Sequence, residues 1–290
     1  MKNLNPYFTQ NPLDRLDATR RDKRKVESLK NLENSLFLLF CNGEILFNQN
    51  SKECFFRKKE FDTTEAVLLG KDNDVHYFAL HVEQNIPEYL SKLPLREFAQ
   101  TNLLEENKLG ILAQAASVLN WHQSHQYCST CGKKTQMAHA GWRRDCLVCK
   151  KEHFPRTDPV VMMLTTHEDY CLLGRGVNFP QNRYSCLAGF MESGESIEDA
   201  ARRELYEEAG IISGEVEYMM CQPWPFPNSL MIGVHVKAKT KKLTIDPHEI
   251  ADAKWIHKDD VKAILDGDES YGILLPKKIA ISRNLLEAWV

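Results

Sequence analysis

The alternation of hydrophobic and polar positions along this 290-residue chain predicts both strands and helices. Residues 35–47 place an Asn-Gly pair between two apolar runs, which is the strongest short signal for a β-hairpin. The segment 75–82 is strand-like, and apolar residues recur at helical spacing from Leu109 to Leu119. We therefore expect a small mixed α/β N-terminal domain that leads into a helix.

The second half of the chain has the same mixed character, which makes the whole an α+β protein. Its predicted elements are a hairpin, a half-buried strand and two helices: 160–166 with 170–175, 232–238, 259–265 and about 276–289.

A further helix is predicted over about 197–209, and the sequence marks both of its ends. Ser196 is the expected N-cap, and Asp199, three residues later, closes a capping box. Gly210 supplies a left-handed C-terminal stop. The apolar stripe of this helix is interrupted by carboxylates.

Two of these carboxylates, Glu204 and Glu208, point toward the protein body. At about 100° per residue they lie only about 40° apart, in the arc that also holds Ile197, Ala201 and Leu205. Like charges four residues apart destabilise a helix by roughly 0.2 to 0.5 kcal/mol even when exposed, and burying unpaired carboxylates costs far more. An ordinary acidic surface helix would not place them there, so we predict a cation between them.

Oxygen-only ligands indicate a hard ion, Mg²⁺ or Mn²⁺, and not zinc. Such an ion completes its shell with water and substrate phosphates, which implies metal-assisted attack on a phosphate or pyrophosphate. Glu195, just before the helix, and Glu207 add further ligands or a base. Arg203 can pair with Glu207 at i, i+4 and hold it in place.

Two Cys-x-x-Cys pairs, Cys128 with Cys131 and Cys146 with Cys149, have the spacing of a zinc ribbon. Four thiolates leave no open position for water, so one structural Zn²⁺ per chain is expected; a redox dithiol is the disfavoured alternative. Residues 128–157 carry seven Lys or Arg against two acids, a local charge of +5. A basic ribbon could bind nucleic acid phosphates. A solvated ribbon face with only a scaffolding role is the favoured alternative.

Composition and charge describe an ordinary soluble protein, with a net charge of -3 and 27% charged residues. The first thirty residues are polar, without the apolar core of a signal peptide. The longest strongly apolar run, 36–41, is too short to cross a membrane. We expect a cytoplasmic protein with no membrane partner. The five other cysteines lie in apolar or strand-like stretches, where buried free thiols are common, and no chemistry is assigned to them.

A proline-rich segment follows the acidic helix: Gln222, Pro223, Trp224, Pro225, Phe226, Pro227, Asn228 and Ser229. Alternating prolines exclude a helix and a central strand, so the two aromatic residues are expected on a stiff extended segment. Rigid aromatic faces suit stacking on a base or nicotinamide ring. A proline-rich turn with two core aromatic residues is the alternative.

The segment 189–211 resembles the Nudix box, with every defining position filled: Gly189, Glu195, Arg203, Glu204, Leu205, Glu207, Glu208, Gly210 and Ile211. The resemblance to Nudix hydrolases implies an α/β/α sandwich with a mixed sheet, which cleaves nucleoside diphosphates linked to another group. The proline-rich segment and the zinc ribbon ahead of the box resemble the NADH pyrophosphatase (NudC-type) branch. The resemblance covers roughly 96–290. It gives three expected domains, an N-terminal mixed α/β domain, a zinc ribbon and a Nudix domain: 1–123, 124–156 and 157–290.

This branch resemblance implies hydrolysis of NADH or NAD⁺ to nicotinamide mononucleotide and AMP, and it also permits removal of an NAD cap from RNA. It assigns Glu204 and Glu208 to the divalent ions, with Glu195 and Glu207 supporting the cluster. The catalytic set is Glu204, Glu207 and Glu208. A downstream loop sends one more carboxylate to the metal in this branch, and Glu249 matches it.

The same resemblance predicts a binding site for the dinucleotide. Phe190 matches a phenylalanine that stacks on the substrate ring, and Ala188 a position whose backbone contacts substrate. Arg96 and Phe154 are further matches, whereas Gly141 stands where relatives carry an acidic residue, so that contact is absent or comes from elsewhere. The segment from Gln222 to Ser229 matches the dinucleotide-binding element of this branch, which in such enzymes is contributed across a dimer interface. The resemblance therefore implies a homodimer.

Three other functions fit parts of the sequence. A Nudix hydrolase could act on another nucleoside diphosphate derivative, such as ADP-ribose or a dinucleoside polyphosphate. The basic ribbon could give the chain an RNA-binding role. A catalytically silent nucleotide sensor is disfavoured because all four carboxylates of the box are present.

Overall fold

The structure is a computed structural model, and it describes these residues: 5–58, 61–83 and 86–290. The first four residues of the predicted domain 1–123 therefore lie outside the described residues. The chain divides into two compact units. The N-terminal unit comprises 8–157 and 224–228, and the C-terminal unit comprises 5–7, 158–223 and 229–290.

The N-terminal unit is built on a mixed sheet of six strands: β1 (Leu36–Cys41), β2 (Glu44–Asn48), β3 (Phe55–Phe56), β4 (Val67–Asp72), β5 (Val75–His81) and β6 (Leu90–Pro94). The strand order is β4-β5-β1-β2-β6, with β3 paired to β1. In the described part of this unit the α-helices are α1 (Lys23–Lys30), α2 (Leu95–Phe98) and α3 (Glu106–Ser124). The predicted N-terminal strands and the helix around 109–119 are confirmed.

The predicted Asn-Gly hairpin joins β1 to β2 through a two-residue loop. Cys41 pairs with Glu44 across the antiparallel ladder. Asn42 has φ 50° and Gly43 has φ 80°, and two successive positive φ values are what the tight hairpin turn of this type needs.

Alternate side chains of β1 enter the cores on the two faces of the sheet. Leu38 packs in the apolar cluster that contains Leu112 of α3. Leu39 packs in the cluster that contains Val26 of α1. The sheet of the N-terminal unit therefore lies between α1 and α3.

Three short strands complete the N-terminal unit: β7 (Gln136–Ala138), β8 (Arg143–Asp145) and β9 (Glu152–His153). They form an antiparallel sheet in the order β7-β8-β9. This small sheet carries the two cysteine pairs in the turns that precede β7 and β9.

The C-terminal unit contains a second mixed sheet of six strands: β10 (Asp158–His167), β11 (Tyr170–Gly176), β12 (Leu187–Phe190), β13 (Ser213–Trp224), β14 (Ser229–Ala238) and β15 (Ile250–His257). The order is β13-β14-β10-β11-β15, with β12 paired to β10. Strand β10 is parallel to β14 and antiparallel to β11 and β12. The helices are α4 (Ile197–Ala209), α5 (Lys258–Leu265) and α6 (Ile281–Trp289).

Helices cover both faces of this second sheet. Val234 of β14 packs in the cluster that contains Ala201 and Leu205 of α4. A Cβ at the neighbouring Gly233 would instead contact Leu285 of α6. Because successive residues of a strand face opposite sides, α4 and α6 lie on opposite faces, which confirms the expected α/β/α sandwich.

The last helix begins later than predicted. The pattern predicts a helix from about residue 276, but α6 begins at Ile281. The Oε1 atom of Gln222 accepts a hydrogen bond from the backbone N–H of Ile281 at 2.9 Å. This side chain, 59 residues away in sequence, supplies a partner for one of the amides that a helix start leaves unpaired.

Within the described residues, no helix combines the length and the apolar character needed to cross a membrane.

Candidate active site

Helix α4 has the ends that its sequence predicts. The Oγ atom of Ser196 accepts a hydrogen bond from the backbone N–H of Asp199 at 3.1 Å. The Ser196 hydroxyl in turn donates to the Asp199 carboxylate at 3.0 Å, which takes the place of the usual return contact to a backbone amide. Gly210 has φ 68° and ends the helix in the left-handed region.

The two glutamates in the apolar stripe are buried, as predicted. Glu204 is 8% exposed and Glu208 is 6% exposed. The Oε2 atom of Glu208 is buried without a hydrogen-bond partner among the described residues. Burial, with added repulsion from Glu204, Glu249 and Glu207, raises the pKa of Glu208 to about 8. A bound cation would stabilise such a buried carboxylate, which lies beside other acids and has an oxygen without a hydrogen-bond partner among the described residues.

Arg203 is the hub of the acidic cluster. Its Nε and Nη2 atoms donate to the two carboxylate oxygens of Glu195 at 2.6 and 2.9 Å. Its Nη1 donates to Glu204 at 2.7 Å and to Glu207 at 2.9 Å, so the predicted pairing with Glu207 is confirmed. Nη2 also donates to the backbone oxygen of Phe190 at 2.9 Å.

Sequence spacing revealed only one of these four partners. Glu195 and Glu204 lie eight residues and one residue from Arg203, distances at which helical periodicity gives no reason to expect a pair. Arg203, followed by the backbone N–H of Glu192, lowers the pKa of Glu195 to about 2. For Glu204, burial raises the pKa and Arg203 works against it. The arginine therefore keeps negative charge in a partly buried cluster.

Gly189 is the first residue of the box, and the structure explains its type. It lies on β12, and a Cβ built on it would overlap the carboxylate of Glu204. Only glycine lets the Glu204 carboxylate pack against this strand.

Glu249 is exposed, but its charge raises the pKa of both Glu204 and Glu208. The loop that carries it is tied to the end of α4. The backbone N–H of Asp246 donates to the backbone oxygen of Glu208 at 3.0 Å, and that of Thr244 donates to the oxygen of Ala209 at 2.9 Å. The backbone N–H of Glu249 donates to the oxygen of Asp246 at 3.2 Å. These backbone hydrogen bonds hold the carboxylate of Glu249 close enough to repel that of Glu208, which is 41 residues away in sequence.

The donor atoms of this cluster are all carboxylate oxygens, which fits a hard divalent cation. They are not drawn together to the spacing of a single ion. Over residues 5–58, 61–83 and 86–290, only the cysteine cluster brings three or more possible ligand atoms within 4.8 Å of one another. Ligation by Glu195, Glu204, Glu207, Glu208 and Glu249 stays a prediction.

The predicted substrate residues of the C-terminal unit differ in their exposure and in the contacts that they already make. Phe190, at the end of β12, is 61% exposed, so its ring is free to stack. Ala188 pairs with Met162 in the β10–β12 ladder. The Gln222 side chain is fully buried, and its amide nitrogen donates to the backbone oxygens of Tyr7 at 3.0 Å and Ile279 at 2.9 Å. Both side-chain N–H groups of Gln222 therefore donate to backbone oxygens.

Two predicted aromatic residues, Trp224 and Phe226, lie in the N-terminal unit. Their ring centroids are 4.9 Å apart with an edge-to-face arrangement, and Phe8 packs edge-on against both. The guanidinium of Arg96, another predicted site residue, lies 5.2 Å from the Trp224 ring centroid. The structure therefore brings three of the predicted substrate residues together.

The stiff extended segment predicted from the prolines is wrong for 225–228. Strand β13 runs through Trp224 as an edge strand, and the next four residues form a turn. Phe226 packs against the core of the N-terminal unit. With its amide nitrogen facing Ser117, Asn228 donates to that residue's backbone oxygen at 3.0 Å. For 225–228 the structure thus shows the alternative, a proline-rich turn with an aromatic residue packed in a core. The remaining members are half-buried Pro223 and Ser229, buried Pro225 and exposed Pro227.

Phe154 is 61% exposed and follows β9. At Gly141, φ is 95° and a Cβ would overlap the side chain of Val67. An acidic residue, expected there from the resemblance, cannot be accommodated with this backbone.

The four ribbon cysteines form one cluster, with Sγ–Sγ distances of 3.5 Å for Cys128 with Cys149 and for Cys131 with Cys146. All four Sγ atoms lie within 4.8 Å of one another. Zn–S bonds of about 2.3 Å in a tetrahedron require thiolates at such separations. The cluster and its ribbon therefore support a structural zinc site.

Models of known families match three adjacent stretches of the chain. A NUDIX domain matches residues 155–277. An NADH pyrophosphatase-like rudimentary NUDIX domain matches 34–121, and an NADH pyrophosphatase zinc ribbon domain matches 123–154.

Individual relatives agree with these family models. The chain is 31% identical over 305 residues to the NAD-capped RNA hydrolase NudC of Mycobacterium bovis, which covers 98% of this chain and 94% of that protein. It is 42% identical over 197 residues to the NAD-capped RNA hydrolase NUDT12 of Homo sapiens. That match covers 64% of this chain and spans 43% of the human protein's length.

Among solved structures, the crystal structure of a NUDIX hydrolase from Nitrosomonas europaea matches with a TM-score of 0.41 and 21% identity. The match covers 46% of this chain and 78% of that one.

Proposed function

This chain belongs to the NADH pyrophosphatase (NudC-type) branch of the Nudix hydrolases, and we propose that it hydrolyses the pyrophosphate bond of NADH or NAD⁺. The products would be nicotinamide mononucleotide and AMP, and the same bond would be cut to remove an NAD cap from RNA. Relatives that are named NAD-capped RNA hydrolases support this substrate class. The observation that carries the chemistry is the buried carboxylate of Glu208 beside Glu204, whose Oε2 atom has no hydrogen-bond partner in the described part of the chain.

We assign the catalytic cation, Mg²⁺ or Mn²⁺, to Glu204 and Glu208, with Glu195, Glu207 and Glu249 completing the cluster. Three features fit: the ligands are all oxygen, one buried oxygen lacks a partner among the described residues, and burial, with added repulsion within the cluster, raises the pKa of Glu208 to about 8. When bound, such an ion neutralises charge on the pyrophosphate oxygens and activates water.

The protein's own groups do the remaining work. Arg203 donates hydrogen bonds to the carboxylates of Glu195, Glu204 and Glu207 and holds them in position. It also lowers the pKa of Glu195. A carboxylate of this cluster takes the proton of the attacking water. Phe190 is exposed at the end of β12 and offers its face to a nicotinamide or adenine ring.

The remaining expectations are part of this proposal. We take the protein to be a cytoplasmic homodimer with three domains, 1–123, 124–156 and 157–290, in which the segment from Gln222 to Ser229 binds the dinucleotide. The branch resemblance supports the dimer. The cluster of Trp224, Phe226 and Arg96 supports a common role for these residues.

Product analysis tests the substrate class. The protein is incubated with Mg²⁺ or Mn²⁺ and, separately, with NADH, NAD⁺, ADP-ribose, a diadenosine polyphosphate or NAD-capped RNA, and the products are separated by chromatography. We expect nicotinamide mononucleotide and AMP from the free dinucleotides and a 5′-monophosphate RNA from the capped RNA. Faster cleavage of ADP-ribose than of every NAD-containing substrate would refute the specificity.

The substitution Glu208→Gln tests the proposed metal site. We expect kcat for NADH to fall at least about 100-fold, a loss typical of removing a group that acts on the reacting atoms. The fold should survive, because an isosteric neutral amide relieves the burial of charge. Steady-state kinetics and circular dichroism measure both effects.

The matched control is Glu198→Gln, the same change at an exposed position on the first turn of α4. It should leave kcat unchanged. A Glu208→Gln enzyme that keeps a near wild-type rate would disprove the assignment.

A further inference from the structure

Two basic stretches of the chain meet at one pocket of the N-terminal unit. The pocket, of about 630 Å³, lies where one side of α1 and the turn before it face β7, β8 and the residues between them. Its charged lining residues are five cations and two acids: Arg20, Lys23, Lys30, Lys134 and Arg144, with Glu27 and Glu65. The run 20–25, which the proposed reaction leaves without a role, thus shares a cavity with the basic zinc ribbon.

Arg20 lines this pocket, and its guanidinium is only partly paired. Its side chain is only 10% exposed, and its guanidinium carbon lies 4.1 Å from the ring centroid of Trp142. The nearest carboxylate, on Asp17, is 3.9 Å away. Among the described residues the buried Nε atom has no hydrogen-bond partner. The positive charge of Arg20 is therefore incompletely compensated, which favours an anion at the pocket.

Arg144, on β8, is a second buried cation in the same wall. It donates to the hydroxyl of Thr135 at 2.8 Å, to the backbone oxygen of Thr135 at 3.0 Å and to Nδ1 of His122 at 3.0 Å. These partners are neutral, and burial lowers the pKa of Arg144, with only Glu65 opposing that shift. Its charge is therefore incompletely compensated. Lys30 differs, because it pairs with Glu27 at 2.6 Å.

The charge continues outside the pocket. Three more cations on the run 20–25 are exposed, and so is a cation next to Lys134 on the ribbon: Arg21, Arg24, Lys25 and Lys133. A single phosphate would need the pocket alone, whereas a chain of phosphates would use both the pocket and its surroundings. Arginine side chains also match the geometry of phosphate oxygens.

We propose that this pocket binds backbone phosphates of the RNA that follows the cap. The inference rests on the proposed function, because it gives the capped RNA a second point of attachment. The pocket lies wholly within the N-terminal unit and uses none of the carboxylates assigned to hydrolysis. Binding of the RNA body and cleavage of the dinucleotide are therefore separable properties.

The test is the salt dependence of binding to an unmodified single-stranded RNA, measured by fluorescence anisotropy on the full chain. The variant is Lys23→Gln with Lys134→Gln, two exposed lysines at the pocket. Each lost phosphate contact lowers the slope of log K against log salt by about 0.7 for a single strand. We expect the slope to fall by about 1.4 and the affinity at 0.1 M salt to fall about 25-fold.

The matched control is Lys52→Gln with Lys92→Gln, two exposed lysines of the same unit that do not line this pocket. It should change the slope by less than half as much. Arg20→Met, which keeps an aliphatic chain over Trp142, should lower the slope by about 0.7. Equal slopes for the wild type, the pocket variant and the control would overturn the proposal.

Two further measurements separate its failure from that of the proposed function. NADH hydrolysis by the pocket variant should match the wild type, while a wild type inactive on every NAD-containing substrate would refute the proposed function and leave the slopes interpretable. Inorganic phosphate is titrated alone by calorimetry. If it binds the wild type but not the pocket variant, and RNA does not compete, the pocket serves free phosphate and the RNA proposal is overturned.

Discussion

Gly189 and Glu204 form a pair in which one residue is needed because of the other. Helical periodicity is enough to predict that Glu204 and Glu208 face inward, because their arc follows from the geometry of a single helix. The reason for glycine at 189 cannot be found in this way. It depends on a strand and a helix that pack together fifteen residues apart in sequence.

The substitution Gly189→Ala should therefore damage the site and spare the fold. The added methyl group would overlap the Glu204 carboxylate, so that side chain must leave its position beside Arg203. We expect kcat for NADH to fall about 10-fold or more, with little change in helix content. A shift of 1 Å at a catalytic group is enough for losses of this size.

Gly176→Ala is the control for that substitution. A Cβ at Gly176 would meet its nearest neighbours at 3.9 Å, an ordinary contact distance. Equal rates for the two alanine variants would contradict the steric explanation.

At the scale of elements, some helix ends and turns are determined by adjacent residues, and others by contacts with residues far away in sequence. The hairpin at Asn42 and the ends of α4 are encoded by a few adjacent residues, and both were predictable. The start of α6 was not, because Gln222 fixes it through a hydrogen bond to a residue far away in sequence. The turn at 225–228 was only the alternative, because the contact of Phe226 with the core of the N-terminal unit cannot be seen in the local sequence. The loop that bears Glu249 is likewise held by the end of α4, and only the resemblance pointed to it.

Arg203 joins α4 to the segment that precedes it, and Arg203→Lys tests that role. Lysine keeps the charge but cannot make the two parallel hydrogen bonds to Glu195 or reach several acceptors at once. We expect a kcat at least about 10-fold lower and weaker Mn²⁺ binding, as is usual when the supports of metal ligands are removed. Activity titrations with Mn²⁺ measure both.

Arg202→Lys, on the same helix, is the matched control. Arg202 forms one exposed contact with Asp199, at 3.2 Å, so its replacement should leave both quantities unchanged. Wild-type Mn²⁺ affinity in Arg203→Lys would show that the carboxylates hold their positions without the arginine.

On the scale of the whole molecule, the sequence motifs and the packing group the chain differently. The motifs place the segment from Gln222 to Ser229 with the Nudix box that it follows. The packing assigns 224–228 to the N-terminal unit, where Phe226 contacts the core. The assignment of 224–228 to the N-terminal unit cannot be predicted from periodicity, because these residues contact parts of the chain that are more than 100 positions away.

The zinc ribbon and α3 belong to the same unit, and a buried His122 connects them. Its Nε2 lies 2.7 Å from the backbone oxygen of Gly141, and its Nδ1 lies 3.0 Å from Nη1 of Arg144. Because Arg144 can only donate, Nδ1 must accept, so the neutral ring donates from Nε2. Burial, opposed by the Gly141 contact and assisted by Arg144, lowers the pKa of His122 to about 4.

This histidine should make stability depend on pH over a defined range. The usual pKa of histidine is about 6.5. Well above that pH the ring is neutral in both the folded and the unfolded chain, so it adds no pH dependence to the stability. As the pH falls from 6.5 toward 4, the unfolded chain takes up a proton that the folded chain refuses, so stability is lost progressively. The lowering of the pKa from 6.5 to about 4 corresponds to roughly 3 kcal/mol once the pH is below both values.

His122→Gln keeps a donor and an acceptor but does not titrate. The difference in unfolding free energy between wild type and variant should therefore shift by roughly 2 kcal/mol between pH 7 and pH 4.5, because the folded ring is still mostly neutral at pH 4.5. Urea unfolding across that range measures it, with His125→Gln as the control on the same stretch of chain. Parallel pH profiles for wild type and His122→Gln would mean that the ring is protonated in the folded protein, and that Arg144 does not depend on a neutral histidine to join the ribbon to α3.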